Sequence, residues 1–141
     1  MGLFSELRQA RRDDAELGKG LWRRAHDRFR RGLDRFHQVL DGVTDDSLYD
    51  ELLPIADELA GLLPRVRAVC VTAQRTTPSE GLDIPPELAP LHRLLSRAGN
   101  DLATAAQAAT MTRLGTSDVD SVRRRAAVVS ALVAEAEALS R

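Results

Sequence analysis

Side chains that favour a protein interior recur along this chain at alternating intervals of four and three. Trp22, His26, Phe29, Leu33, Phe36, Leu40 and Val43 form the first such run. That spacing keeps all seven on one face of a helix. Gly42 then supplies a stop, and Thr44, Asp45 and Ser47 are candidate caps for a second helix, so a tight helical hairpin is predicted. The second run is Leu48, Leu52, Ile55, Leu59, Leu62, Val66, Val69 and Ala73, unbroken in register despite Pro54 and Pro64. Each interior proline removes one helical hydrogen bond and crowds the preceding turn, which predicts kinks or a short break beside a continuous face.

Residues Thr76 to Pro86 contain four prolines or glycines and few apolar side chains, a composition that cannot propagate a helix. Pro86 suits the first position of a third helix with the face Leu88, Leu91, Leu95, Ala98, Leu102, Ala105 and Ala109. The alanine-rich half of that face predicts close approach to a neighbouring helix. Gly115 ends it, Thr116-Ser117-Asp118 caps a fourth helix, and Val122, Ala126, Val129, Val133 and Ala136 form the last seam. The predicted fold is all-α, an antiparallel up-down-up-down four-helix bundle with a long first helix, making residues 1–141 one domain.

Helix lengths predict an overhang. Pairing the first two helices about residues 43–46 sets Ala73 opposite roughly residue 16, leaving Met1 to Leu17 without a partner. The apolar register shifts at Gly18-Lys19-Gly20, where two glycines predict a hinge. The tail, the 76–86 loop and the carboxyl terminus are expected at one end of the bundle, the candidate working surface.

Composition adds constraints. Apolar residues make up 43% of the chain and charged residues 29%, which is globular and outside the range of disorder. The longest apolar stretches are four residues, as at Ala126 to Val129, against the roughly 20 needed to span a membrane. The charged start fits neither a signal peptide nor, with Ser5 one place short, a myristoylation site, so the expected location is the cytoplasm. Lys19 is the only lysine among 20 basic residues, which points to a GC-rich, bacterial coding sequence. Cys70, the one cysteine, lies in the run Val69-Cys70-Val71 and is expected to be a small buried hydrophobe.

Charge is uneven along the chain. Residues 1–36 hold ten basic against six acidic side chains, and residues 37–64 hold seven acidic and no basic ones. One reading is that the first two helices neutralise each other across their hairpin, which the near-zero total favours. The other is that Arg23, Arg24, Arg28, Arg30, Arg31 and Arg35 grip an anionic membrane surface or nucleic acid. Trp22, Phe29 and Phe36 lie in the seam and not among the arginines, so stacking on bases is not expected.

Asp34, His37 and Asp41 share a helical face and His26 is nearby, but the chain contains no Glu-x-x-His pair of the di-iron type. No metal, cofactor or small-molecule substrate is expected. No nucleophile elbow or phosphate loop is visible, so no catalytic residue is expected and an unrecognised enzyme ranks last. The leading expectation is a non-catalytic interaction module that binds a protein partner or a second copy of itself. Its expected contacts are in the tail: Leu3, Phe4, Leu7, Arg8, Arg11, Arg12 and Leu17. The chief alternative is the anionic-surface binder working through the six arginines.

Overall fold

A computed structural model describes residues 2–141, so Met1, the first residue of the expected tail, lies outside the described residues. The fold is all-helical, with five helices packed together: α1 (Leu3–Leu17), α2 (Leu21–Asp41), α3 (Asp46–Thr76), α4 (Ala89–Arg113) and α5 (Val119–Ser140). A single 3-10 turn, Pro86–Leu88, feeds α4. No helix among the described residues is long and apolar enough to cross a membrane.

Local chemistry sets these boundaries. The Asp45 carboxylate accepts from the Ser47 and Leu48 N–H groups at 2.9 and 3.3 Å, capping α3. Asp118 does the same for α5 through Ser121 N–H at 3.0 Å. Helix α3 continues through both prolines without the predicted break. Pro54 and Pro64 both lie on its exposed side, where water satisfies the carbonyls their rings leave unpaired.

The seams predicted for the four longer helices are buried together in one core that includes Trp22, Phe29, Phe36, Leu59, Leu102 and Val129. Helix α2 packs on α3 and α4, and α5 packs on the same two, closing a ring in which α3 and α4 scarcely touch. The register across this ring differs from the expectation that all neighbours run antiparallel. On α2, Trp22 meets His92, Gly32 backs onto Leu102 and Gly42 sits beside Arg113, so α2 and α4 run parallel. Glu58 pairs with Ser130 and Arg65 with Glu137, so α3 and α5 also run parallel. Two antiparallel hairpins therefore lie side by side in the same orientation. The physical reason is the connection from Thr77 to Leu88, long enough to carry the chain across the bundle end to the far side of α2.

Helix α1 does not overhang as an extension of α2. Gly18, with φ +71°, reverses the chain, and the last turns of α1 fold back against α3 and α2. Leu17, expected among the tail's partner contacts, is instead 0% exposed in the core. Its burial contributes roughly 2 kcal/mol, more than a free overhang provides. Nor is Gly18-Lys19-Gly20 a hinge. The Gln74 side-chain amide occupies the place of a Gly18 Cβ, and the Ser79 backbone carbonyl that of a Gly20 Cβ. Leu21 N–H donates to Ser79 Oγ at 3.3 Å, and Ser79 N–H donates to Gln74 Oε1 at 3.0 Å.

Two glycines therefore answer oppositely to alanine. Gly20→Ala forces a methyl against backbone and is expected to cost about 1–3 kcal/mol in urea denaturation. Gly61→Ala, on the open face of α3 with nothing near its Cβ position, is expected to stabilise by about 0.5–1 kcal/mol.

Candidate functional site

Residues 2–12 are all exposed, and the fold presents them as an arm. Leu3 is 68% exposed, Phe4 78% and Leu7 46%. At 100° per residue these three fall on one side of α1 with Arg11, and Arg8 and Arg12 flank it. Six of the seven residues expected to bind a partner are thus brought together at the surface, and Leu17 is withdrawn from them.

A helix of fifteen residues is marginal in water by itself, and its last turns hold this one in place. Asp13 is only 2% exposed. Its Oδ1 accepts from Arg67 Nη1 at 2.7 Å and from Gln9 Nε2 at 2.7 Å. Arg67 Nη2 reaches Glu16 at 2.8 Å, and Arg30 stands 3.9 Å from the other oxygen of Asp13. Arg23 bridges Asp14 and Asp27 at 2.7 and 3.0 Å. Burial pushes the Asp13 pKa up, but the hydrogen bonds from Arg67 and Gln9 and the charges of Arg67 and Arg23 outweigh it and hold the carboxyl below its ordinary value.

Behind this clamp, His26 is buried with Nδ1 2.9 Å from Asp27 Oδ1. Burial holds its pKa below the ordinary value, with Asp27 acting in the opposite sense. His37 makes no hydrogen bond to Asp34 or Asp41 among the described residues. Among these residues there is also no group of three or more His, Cys, Asp or Glu side chains placed to hold a metal ion. Cys70 is fully buried, which pushes its thiol up to about 12.

The six arginines singled out on α2 separate into two sets. Arg23 and Arg30 face the acidic end of α1. Arg24, Arg28, Arg31 and Arg35 lie on the outer side of α2, with Arg28 and Arg35 beside α4, and none has a carboxylate within 4.0 Å among the described residues. The expected neutralisation across the hairpin does not occur, since no ion pair joins α2 to α3 among the described residues. The faces used explain why: Asp50, Glu51 and Glu58 line the groove between α3 and α5, and the basic residues of α3 follow nearer its C-terminal end. There Arg65 pairs with Glu137 of α5 at 2.6 Å and Arg67 with α1.

The clamp itself escaped sequence reasoning. Gln9-x-x-x-Asp13 was visible as a local helical pair, but Arg67 lies 54 residues away and no periodicity connects them.

Asp13→Ala is expected to cost about 1–3 kcal/mol, because the partly buried Arg67 loses its carboxylate. Amide exchange in residues 13–17 should rise about tenfold or more while α2 to α5 stay protected; unchanged protection of α1 would rule out the clamp. Because Asp13 has a lowered pKa in the folded state, its contribution is present above the ordinary value of 3.8 and is lost as pH falls through the folded value. Asp13→Asn should therefore remove part of the acid sensitivity of the melting temperature. Comparison with protein-family models, curated proteins and solved structures found no match to this chain.

Proposed function

We propose that this chain is a non-catalytic interaction module, a four-helix bundle of two stacked hairpins that holds α1 as a fixed arm for a protein partner or a second copy. The observation that carries this reading is the joint exposure of Leu3, Phe4 and Leu7 on a helix clamped at its other end through Asp13 and Leu17. Soluble surfaces scatter large apolar residues singly; three gathered on one helix side make a patch.

Magnitudes indicate the kind of complex. Burying these three side chains supplies roughly 3–6 kcal/mol. Association costs on the order of 4–15 kcal/mol in lost freedom. The apolar stripe alone supports a transient contact, and a lasting one needs more. Arg8, Arg11 and Arg12 stand beside it with Glu6 as the only acid in residues 2–12, which favours an acidic, apolar-floored partner groove. A second copy offers one between α3 and α5, where Asp50, Glu51 and Glu58 surround Pro54 and Ile55, with Arg123 as the one basic residue of the lining. The clamp lowers the ordering cost because the arm is held before binding.

A photo-crosslinking amino acid at position 4 tests the proposal in source cells. The expected result is one discrete adduct, either of two copies or with one other protein, lost when Leu3 and Leu7 are both changed to Ser. Absence of any adduct, or adducts insensitive to that change, would overturn it. Removal of residues 1–8, which spares Gln9 and the clamp, should leave melting nearly unchanged, whereas removal through Leu17 should lower it clearly.

A further inference from the structure

We infer that the flank of α2 beside α4 is a binding track for the sugar–phosphate backbone of a nucleic acid, gripped by Arg24, Arg28, Arg31 and Arg35. Their spacing of four, three and four residues confines them to a strip about 60° wide and about 16 Å long on one helix. The acids of α2, Asp27, Asp34 and Asp41, are turned about 40–80° from the edge of this strip, toward Arg23 and Arg30. Asp27 and Asp34 lie one helical turn from Arg31, but neither pairs with it, and Asp27 is engaged by Arg23 and His26. Four exposed guanidinium groups are therefore in line with no carboxylate within 4.0 Å among the described residues. Linear polyanions match that arrangement.

Helix α4 completes the track. Because it runs parallel to α2, it presents uncharged polar groups alongside the arginines. Arg28 Nη2 donates to Asn100 Oδ1. Arg35 lines a cleft of about 460 Å³ with Ala103, Thr104, Gln107 and Thr110. The amide groups of Asn100 and Gln107 can donate to phosphate and sugar oxygens, while the Thr104 and Thr110 hydroxyls donate to backbone carbonyls of α4. The only acid of α4, Asp101, projects toward the α5 side by the helical period.

Two observations favour nucleic acid over a lipid surface. None of the large exposed hydrophobic residues belongs to α2, whereas interfacial binding draws on apolar side chains that enter the acyl boundary. The arginines also form one line about 16 Å long, which matches the single file of phosphates along a nucleic-acid strand and not the two-dimensional array of a headgroup layer. No exposed aromatic side chain accompanies the arginines, so bases are not stacked and binding is blind to sequence. Asp41, Asp45 and Asp46 follow the track at the C-terminal end of α2 and repel phosphate there, and four arginines set the contact at about four phosphates.

Fluorescence anisotropy of a short labelled DNA duplex with the full chain tests this. Four phosphate contacts predict a slope of about −3.6 in the logarithm of affinity against the logarithm of salt, a loss of about 150-fold between about 50 and 200 mM. Each single change of Arg24, Arg28, Arg31 or Arg35 to Gln should reduce the slope by about 0.9, and the quadruple change should abolish binding with circular dichroism unchanged. Should the quadruple variant fail to fold, the four single slopes still decide. The triple change of Arg8, Arg11 and Arg12 to Gln should leave the slope alone. The inference is overturned if duplex fails to bind at low salt, if binding survives the quadruple change, or if the slope follows the α1 arginines. It is equally overturned if phosphatidylglycerol-containing vesicles bind more tightly than duplex through the same four arginines.

Discussion

The buried face of α2 is the constraint on which the rest of the structure depends. Trp22, Phe29 and Phe36 are almost wholly removed from water, and each large aromatic side chain buried this way contributes roughly 2–3 kcal/mol. Helix α2 packs against α1, α3 and α4 together. Its core face is occupied, so its two flanks receive different neighbours. One flank meets the acidic end of α1 and the other the polar side of α4. The charges of α2 divide accordingly, because Arg23 and Arg24, like Arg30 and Arg31, are turned about 100° from each other on the same cylinder.

Helix α1 is held by a different kind of interaction. A buried carboxylate with two hydrogen-bond donors is costly to desolvate, and exchanging it together with its charged partner for well-packed apolar residues often leaves stability unchanged. What Asp13 and Arg67 contribute is direction. Leu17 can enter an apolar gap in many orientations, whereas the bond from Arg67 to Asp13 and its second bond to Glu16 admit one. The Gly18 reversal and the contacts of Gly20 with the Ser79 segment fix where the helix begins its return. An arm so fixed exposes Leu3 and Phe4 at a constant angle, which is the property a docking element requires.

Two surfaces of different chemistry result, an apolar arm with basic edges and a row of arginines beside uncharged polar groups. They need not act together. The arm belongs to the α1/α3 side and the arginine row to the α2/α4 flank, so the two can be altered separately. The acidic end of the first hairpin lies beside Arg113 and Arg123 at the turn of the second. That juxtaposition follows from the parallel arrangement of the hairpins, since it brings both turns to the same end.

By itself, the sequence determined what depends on neighbours three or four residues away. The apolar seams, the caps at Asp45 and Asp118, the loop after Thr76 and the exposed side of Leu3, Phe4 and Leu7 were all legible, because helical period and turn chemistry are local. Only the tertiary structure decided that α2 and α4 run parallel, that α1 folds back with Leu17 in the core, and that four of six arginines remain free of carboxylates. Each depends on which helix lands against which flank. A long connection permits more than one answer, and partners such as Asp13 and Arg67 carry no periodic signal that pairs them across 54 residues.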